Sequence, residues 1–255
     1  METRTNITPG SHCTYCGADE DRTRQEGEIT RDHVPPKSWL YKPYPDNLTT
    51  VDACRGCNEG FKKDDDYVGT FLTLSILKDS SGQAETHFEK VKRSVTHPSA
   101  TGLRALIMSG AHPSKIHGRT GRPLGVLSWI DGDRVRAVGQ RLVGGLYRIE
   151  MGHRLPPGHK ITVAGKMGLL SDEALTIAYP FTFLKNHRER VYGDAFSYVA
   201  AFGPKESVWL IVLHEKFFWG ASTLSPDHAA LDPRRIAKNK GKTIHQLLAE
   251  VRVNR

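Results

Sequence analysis

Cys54-Arg55-Gly56-Cys57-Asn58-Glu59-Gly60-Phe61-Lys62, residues 54–62, decides the reading of this chain, because its Cys-x-x-Cys spacing repeats that of Cys13-Thr14-Tyr15-Cys16. These pairs hold all 4 cysteines of the 255 residues. Cysteines this close rarely bridge each other, whereas two such knuckles bring four thiolates to one tetrahedral Zn²⁺. One structural zinc held by Cys13, Cys16, Cys54 and Cys57 is therefore expected; the alternative is two unrelated redox or buried pairs. The segment around them is short, polar and broken by Pro35, Pro36, Pro43 and Pro45. It is too small to build a core of its own, so a metal staple makes physical sense.

Between the knuckles lie Arg31-Asp32-His33-Val34-Pro35-Pro36-Lys37 and Asp46-Asn47-Leu48. Adjacent residues on a strand point to opposite faces, so one of Asp32 and His33 can serve a metal while the other meets a water, given a local twist. Asn58 directly follows the second knuckle and opens a helical turn, so the zinc fixes where it points. A carboxylate oxygen from Asp32 and an amide oxygen from Asn58 suit a hard cation such as Mg²⁺. His33 can deprotonate a water near neutral pH. Lys62 lies four residues after Asn58, on the same helix face. With Lys37 and Arg55 it is a candidate phosphate contact, the competing reading being solvated side chains. The run Lys62-Lys63-Asp64-Asp65-Asp66 reads as a charged helix end rather than as extra metal ligands.

Two Cys-x-x-Cys pairs enclosing Asp-His, Asn-Leu and Cys-x-x-Cys-Asn, in that order, closely resemble the HNH endonucleases, the treble-clef or ββα-metal nucleases. The likeness covers about residues 11–66. It implies that His33 is the general base, that Asn47 orients it, and that Asp32 and Asn58 ligate a catalytic Mg²⁺ or Mn²⁺. The third family letter is often His, and Asn58 is a variant that favours Mg²⁺ or Mn²⁺ over zinc at that site. The implied activity is phosphodiester hydrolysis, with DNA as the expected partner and RNA as the alternative. A homodimer would be a route to double-strand cuts. The competing classes are a catalytically silent zinc-binding nucleic-acid module and a zinc-scaffolded regulatory or interaction protein.

Net charge is +8 with a pI near 9.3. Residues 1–68 carry 9 Lys and Arg against 13 acids, whereas the remainder carries 27 against 15. Any grip on a polyanion is thus expected outside the knuckle segment. Arg119, Arg122, Arg134, Arg136, Arg141, Arg148 and Arg154 are the first candidates, followed by the tail Arg234, Arg235, Lys238, Lys240 and Lys242. No apolar run approaches the ~18 residues of a membrane helix, and the leader has no apolar signal core, so a cytoplasmic protein with no membrane partner is expected.

The expected class is α+β: a zinc-bound ββα module over 1–68, a helical region and basic loop over 69–123, and a basic mixed domain over 124–255. A helix is expected from Asp52 to about Tyr67. More helix follows through residue 110, broken at Gly82, and a basic loop spans 111–123. Leu124–Ile130 and Arg134–Val138 read as strands around Asp131-Gly132-Asp133, with a helix over Val138–Gly152. Lys160–Ala164, Tyr198–Phe202 and Val208–His214 read as strands, the last one central. Ile244–Val253 reads as a terminal helix. Tyr147, Trp209, Phe217, Phe218 and Trp219 are assigned to core packing rather than to base stacking.

Overall fold

The structure is a computed structural model that describes residues 12–21, 23–75, 82–109, 111–113, 126–128, 131–167, 186–214 and 217–228. It is mixed α+β. After a short 3₁₀ turn at Gln25–Gly27, strands β1 (Ile29–Val34) and β2 (Thr49–Cys54) form a two-stranded antiparallel sheet. Their register is unbroken from Ile29↔Cys54 to Val34↔Thr49. Helix α1 (Arg55–Ser75) leaves β2 without a loop. Residues 52–54, expected to be helical, are instead the end of β2, because Asp52 and Ala53 pair with Arg31 and Thr30. The helix begins only where that ladder stops.

Among the described residues three helices follow α1: α2 (Gly82–Thr96), α3 (Thr101–Ser109) and α4 (Gly132–Met151). The expected strand Arg134–Val138 is the first part of α4. The turn residue Asp131 is its N-cap, and its carboxylate accepts from the backbone N–H groups of Asp133 and Arg134. Asp at a helix N-cap satisfies donors that have no partner inside the helix. The other expected strand of that pair survives as β4 (Val126–Ser128), but it pairs with β3 (Ala111–Pro113). Residues 114–123 of the expected basic loop and the expected terminal helix lie outside the described residues. So do Arg119, Arg122 and the basic tail.

The chain divides into two units. The first consists of Met1–Arg154 with Tyr192–Phe196, so residue 68 falls inside α1 and well inside this unit. Its core includes Val34, Trp39, Leu40, Val51, Val68, Leu72, Leu142 and Leu146. The second unit holds most of a five-stranded sheet in the order β5 (Lys160–Met167), β9 (Phe217–Leu224), β8 (Glu206–Leu213), β7 (Phe196–Phe202) and β6 (Asn186–Tyr192). Strand β8 is the middle strand, as its β-branched and aromatic composition suggests. Trp209 is fully buried between Tyr198 and Phe202, with ring centroids 5.7 Å and 5.3 Å away. Phe217 and Trp219 are buried too. Among the described residues no helix is long and apolar enough to cross a membrane.

Candidate metal centre and the adjoining charged cluster

The first knuckle is a tight turn. Gly17 N–H bonds back to the Cys13 carbonyl, and Cys13 N–H bonds to the Ala18 carbonyl. Gly17 sits at φ +76°, a conformation side-chain-bearing residues rarely adopt. The second knuckle straddles the junction of β2 and α1, so strand pairing places Cys54 and helix geometry places Cys57. Together they bring the four sulfurs within 4.8 Å of one another. Cys16 Sγ and Cys54 Sγ are 3.8 Å apart. That is the edge of a tetrahedron whose centre lies ~2.3 Å from each sulfur, the Zn–thiolate bond length. None of the four is in a disulfide. Two sulfurs accept backbone N–H groups, Cys16 from Ala18 at 3.5 Å and Cys54 from Cys57 at 3.4 Å. Burial pushes the Cys13 thiol up, yet hydrogen bonds with the backbone of Cys16, Cys54 and Tyr15 outweigh it and bring the thiol down to about 7. Burial pushes Cys54 and Cys57 up. A bound metal would override these differences, since a coordinating thiol is deprotonated outright. The donor set and spacing fit one metal ion such as Zn²⁺.

The knuckle also aims Asn58. Its Nδ2 donates to Thr30 Oγ1 at 2.9 Å and approaches the Arg31 carbonyl at 3.5 Å. The Thr30 hydroxyl gives its own hydrogen to the Ala53 carbonyl at 2.9 Å, so towards Asn58 it can only accept. This assigns the amide orientation: nitrogen on Thr30, and Oδ1 with no hydrogen bond among the described residues. Thr30, Asp32 and Val34 share one face of β1, so Asn58 docks on the face that bears Asp32.

Asp32 is buried and already engaged. Its Oδ2 accepts from Tyr15 Oη and, at 2.9 Å, from the Arg141 guanidinium of α4. Arg141 also bonds Asp65 of α1, and its side chain is only 5% exposed. The rings of Phe61 and Tyr15 lie 4.8 Å and 5.9 Å from the guanidinium carbon. Burial raises the Tyr15 hydroxyl, and the Asp32 charge raises it further, so Tyr15 stays a donor. Burial pushes Asp65 up to about 7, against the pull of Arg141 and with a further push from Asp32. Two carboxylates on one guanidinium leave a surplus of one negative charge when both are ionised.

His33 is half-buried on the opposite face of β1, with Arg31. Burial holds its imidazole below the ordinary value, and the Lys37 charge lowers it further against the pull of Asp32. Among the described residues the ring makes no hydrogen bond, so none joins it to Asn47. Asn47 is exposed in the loop before β2, its carbonyl accepting from Thr49 Oγ1. The pairing therefore brings Asn58 to the Asp32 face and leaves His33 on the other.

The phosphate candidates diverge. Arg55 is clasped by Glu28 and by Glu59, the latter at 3.2 Å. Lys37 is exposed, its Nζ 5.4 Å from the Tyr44 ring centre. Lys62 is exposed. The acidic run is no helix end, since α1 continues to Ser75, and Asp64 and Asp65 pair with Arg134 and Arg141 of α4. Arg136 pairs with Asp133, and Arg148 bonds the Gly152 carbonyl. Arg134 and Arg141 thus tie α4 to α1 and β1, whereas Arg136 and Arg148 bond locally, within α4 or at its end. Sequence reasoning missed Asp65 and Tyr15 and misplaced Arg141 on the surface. The only signal was an unusual acidic run in mid-helix, and its partner lies 76 residues away. No protein-family model, curated protein or solved structure matches the chain.

Proposed function

We propose that the chain is a metal-dependent endonuclease of the HNH type that hydrolyses phosphodiester bonds in DNA. The observation that supports this most is the hydrogen bond from Asn58 to Thr30, which joins the helix turn set by the second cysteine knuckle to the Asp32 face of β1. In this reading the zinc is structural. Asp32 and Asn58, whose Oδ1 atoms make no hydrogen bond among the described residues, would hold the catalytic ion. When bound, Mg²⁺ or Mn²⁺ stabilises charge on the phosphate and on the leaving 3′ oxygen. His33, kept neutral at pH 7 by its lowered pKa, accepts the proton of the attacking water. Among the described residues β1 pairs with β2 alone, and in this reading the phosphate would have to reach Asp32 and Asn58 on one face of β1 and His33 on the other. Asn47 supports the loop that presents β2, and Lys37 and Lys62 are the phosphate contacts this reading retains.

One observation favours a second reading, a silent zinc module that binds nucleic acid without cutting it: Arg141 already supplies Asp32 with a cation. Plasmid nicking with Mg²⁺ or Mn²⁺ separates the two. The nuclease reading expects nicked circles from the wild type and at least a ~100-fold slower rate from His33→Ala, the usual minimum contribution of a general base. DNA retarded in a gel but left uncut under every divalent ion would favour the silent module. Neither cutting nor retardation would favour an interaction scaffold.

A further inference from the structure

Four of the arginines singled out by the sequence charge pattern are occupied within the fold, whereas α2 carries exposed cations. Arg134, Arg136, Arg141 and Arg148 all have internal partners. On α2, Lys90 is three residues from Arg93 and four from Ser94, and His97, just past the end of the helix, is four from Arg93 and three from Ser94, the steps that share a helix face. With Ser99 and Ala100 they line a surface groove of about 470 Å³. Lys90 and Arg93 are exposed. Arg93 Nε bonds the Glu89 carbonyl at 3.3 Å, which fixes the guanidinium. Its terminal nitrogens and Lys90 Nζ form no hydrogen bond or ion pair among the described residues. Asp66 of α1 feels the Lys90 charge, and Glu89 pairs with Lys92.

The end of the groove is built to donate. His97 Nδ1 accepts the Ser99 backbone N–H at 3.3 Å and lies 2.7 Å from Ser99 Oγ. A neutral ring that accepts at Nδ1 carries its proton on Nε2, so the other side of the imidazole is a donor. Some of the carbonyls at the end of α2, which would repel an anion, are engaged: Thr96 Oγ1 bonds the Lys92 and Arg93 carbonyls, and Arg104 bonds that of Thr96 and, just beyond the helix, that of Pro98. Arg104 adds a further positive charge there.

We infer that this groove binds phosphate oxygens of a nucleic-acid backbone, with Lys90 and Arg93 as charge contacts and the His97 ring and the serine hydroxyls as hydrogen-bonding ones. The preference for phosphate follows from the groove itself; its assignment to nucleic acid rests on the nuclease reading. Arginines and lysines of this kind position a backbone without reading its sequence.

The test is fluorescence anisotropy of a labelled DNA duplex against the full chain, with no added divalent ion so that nothing is cut. Lys90→Ala/Arg93→Ala is compared with wild type across a salt series. The double variant should bind several-fold more weakly, equally for unrelated sequences, and its log–log salt slope should be shallower by ~1.8, the value for two lost phosphate contacts. Both positions are exposed, and an unchanged melting temperature checks the fold. An unaltered slope and affinity overturn the proposal, as does a wild type that binds no duplex. In a parallel titration with inorganic phosphate, a response confined to the small anion also overturns the backbone assignment. Nicking by wild type is scored separately, so a failed groove leaves the nuclease reading standing, and a silent His33 leaves the groove test intact.

Discussion

At the residue scale the dominant feature is one guanidinium serving two buried carboxylates. Arg141→Met would leave Asp32 and Asp65 without their cation, and breaking a buried pair from one side costs about 3–5 kcal/mol. Denaturant unfolding should show that loss, while Arg136→Met, at an exposed surface pair, should change little. Asp65 carries the surplus charge. Its pKa is raised to about 7 in the fold, so the folded state holds a proton that the unfolded chain releases. Its contribution is full below the unfolded value of about 4 and is lost as pH rises through about 7. Melting temperatures of wild type and Asp65→Asn, taken at pH 5 and pH 8, should therefore shift in favour of the variant at the higher pH. A difference that is constant with pH would refute the assignment. His33 has the opposite sign. Its depressed pKa makes the neutral ring the native form, so its contribution is present above the unfolded value and fades as pH falls. In the nuclease reading, the acid limb of the nicking rate should lie below the ordinary histidine range.

At the element scale α4 meets β1 through a glycine. A Cβ at Gly145 would lie 2.8 Å from Val34 Cγ2, tighter than carbon contacts allow, whereas one at the neighbouring Gly144 meets nothing within 4 Å. Both sit inside the same helix, where replacing Gly by Ala gains up to about 1 kcal/mol of propensity. Overpacking costs about 1–3 kcal/mol and wins only at the crowded site. Gly144→Ala should raise the melting temperature and Gly145→Ala should lower it; equal shifts would show that α4 does not rest on Val34. The knuckles act at the same scale, because Cys54 ends a strand and Cys57 lies in the first turn of the helix that follows. A Cys54→Ser variant should lose bound zinc and cooperative unfolding together, read by metal analysis and calorimetry, if the ion staples that junction.

At the scale of the molecule, the first unit extends through Arg154, because α1 carries acids whose partners sit on α4. A fragment ending at residue 130 would keep all four cysteines and the Asp32–His33 motif yet bury Asp32 and Asp65 without Arg141. It should bind zinc but show no cooperative melt, whereas the full chain, which keeps α4 and Tyr192–Phe196, should melt cooperatively. Much of this was legible from residues alone. The paired Cys-x-x-Cys spacing predicted the four-sulfur cluster, and period-2 and period-3.6 patterning predicted β5, β7, β8 and most of the helices. Those signals are local, because knuckle spacing and side-chain periodicity are set within a few residues of each other. The strand end at Asp52–Cys54 and the helical start of α4 were misread, because pairing with β1 and capping by Asp131 override propensity over such short runs. The sequence by itself determined an α+β chain with two cysteine knuckles able to hold one metal ion and a surplus of basic residues. Only the tertiary structure decided which of those bases are open and which are consumed by acids far away in the chain. Ion pairing depends on proximity in space, and Arg141, 109 residues from Asp32, leaves no local trace of its partner.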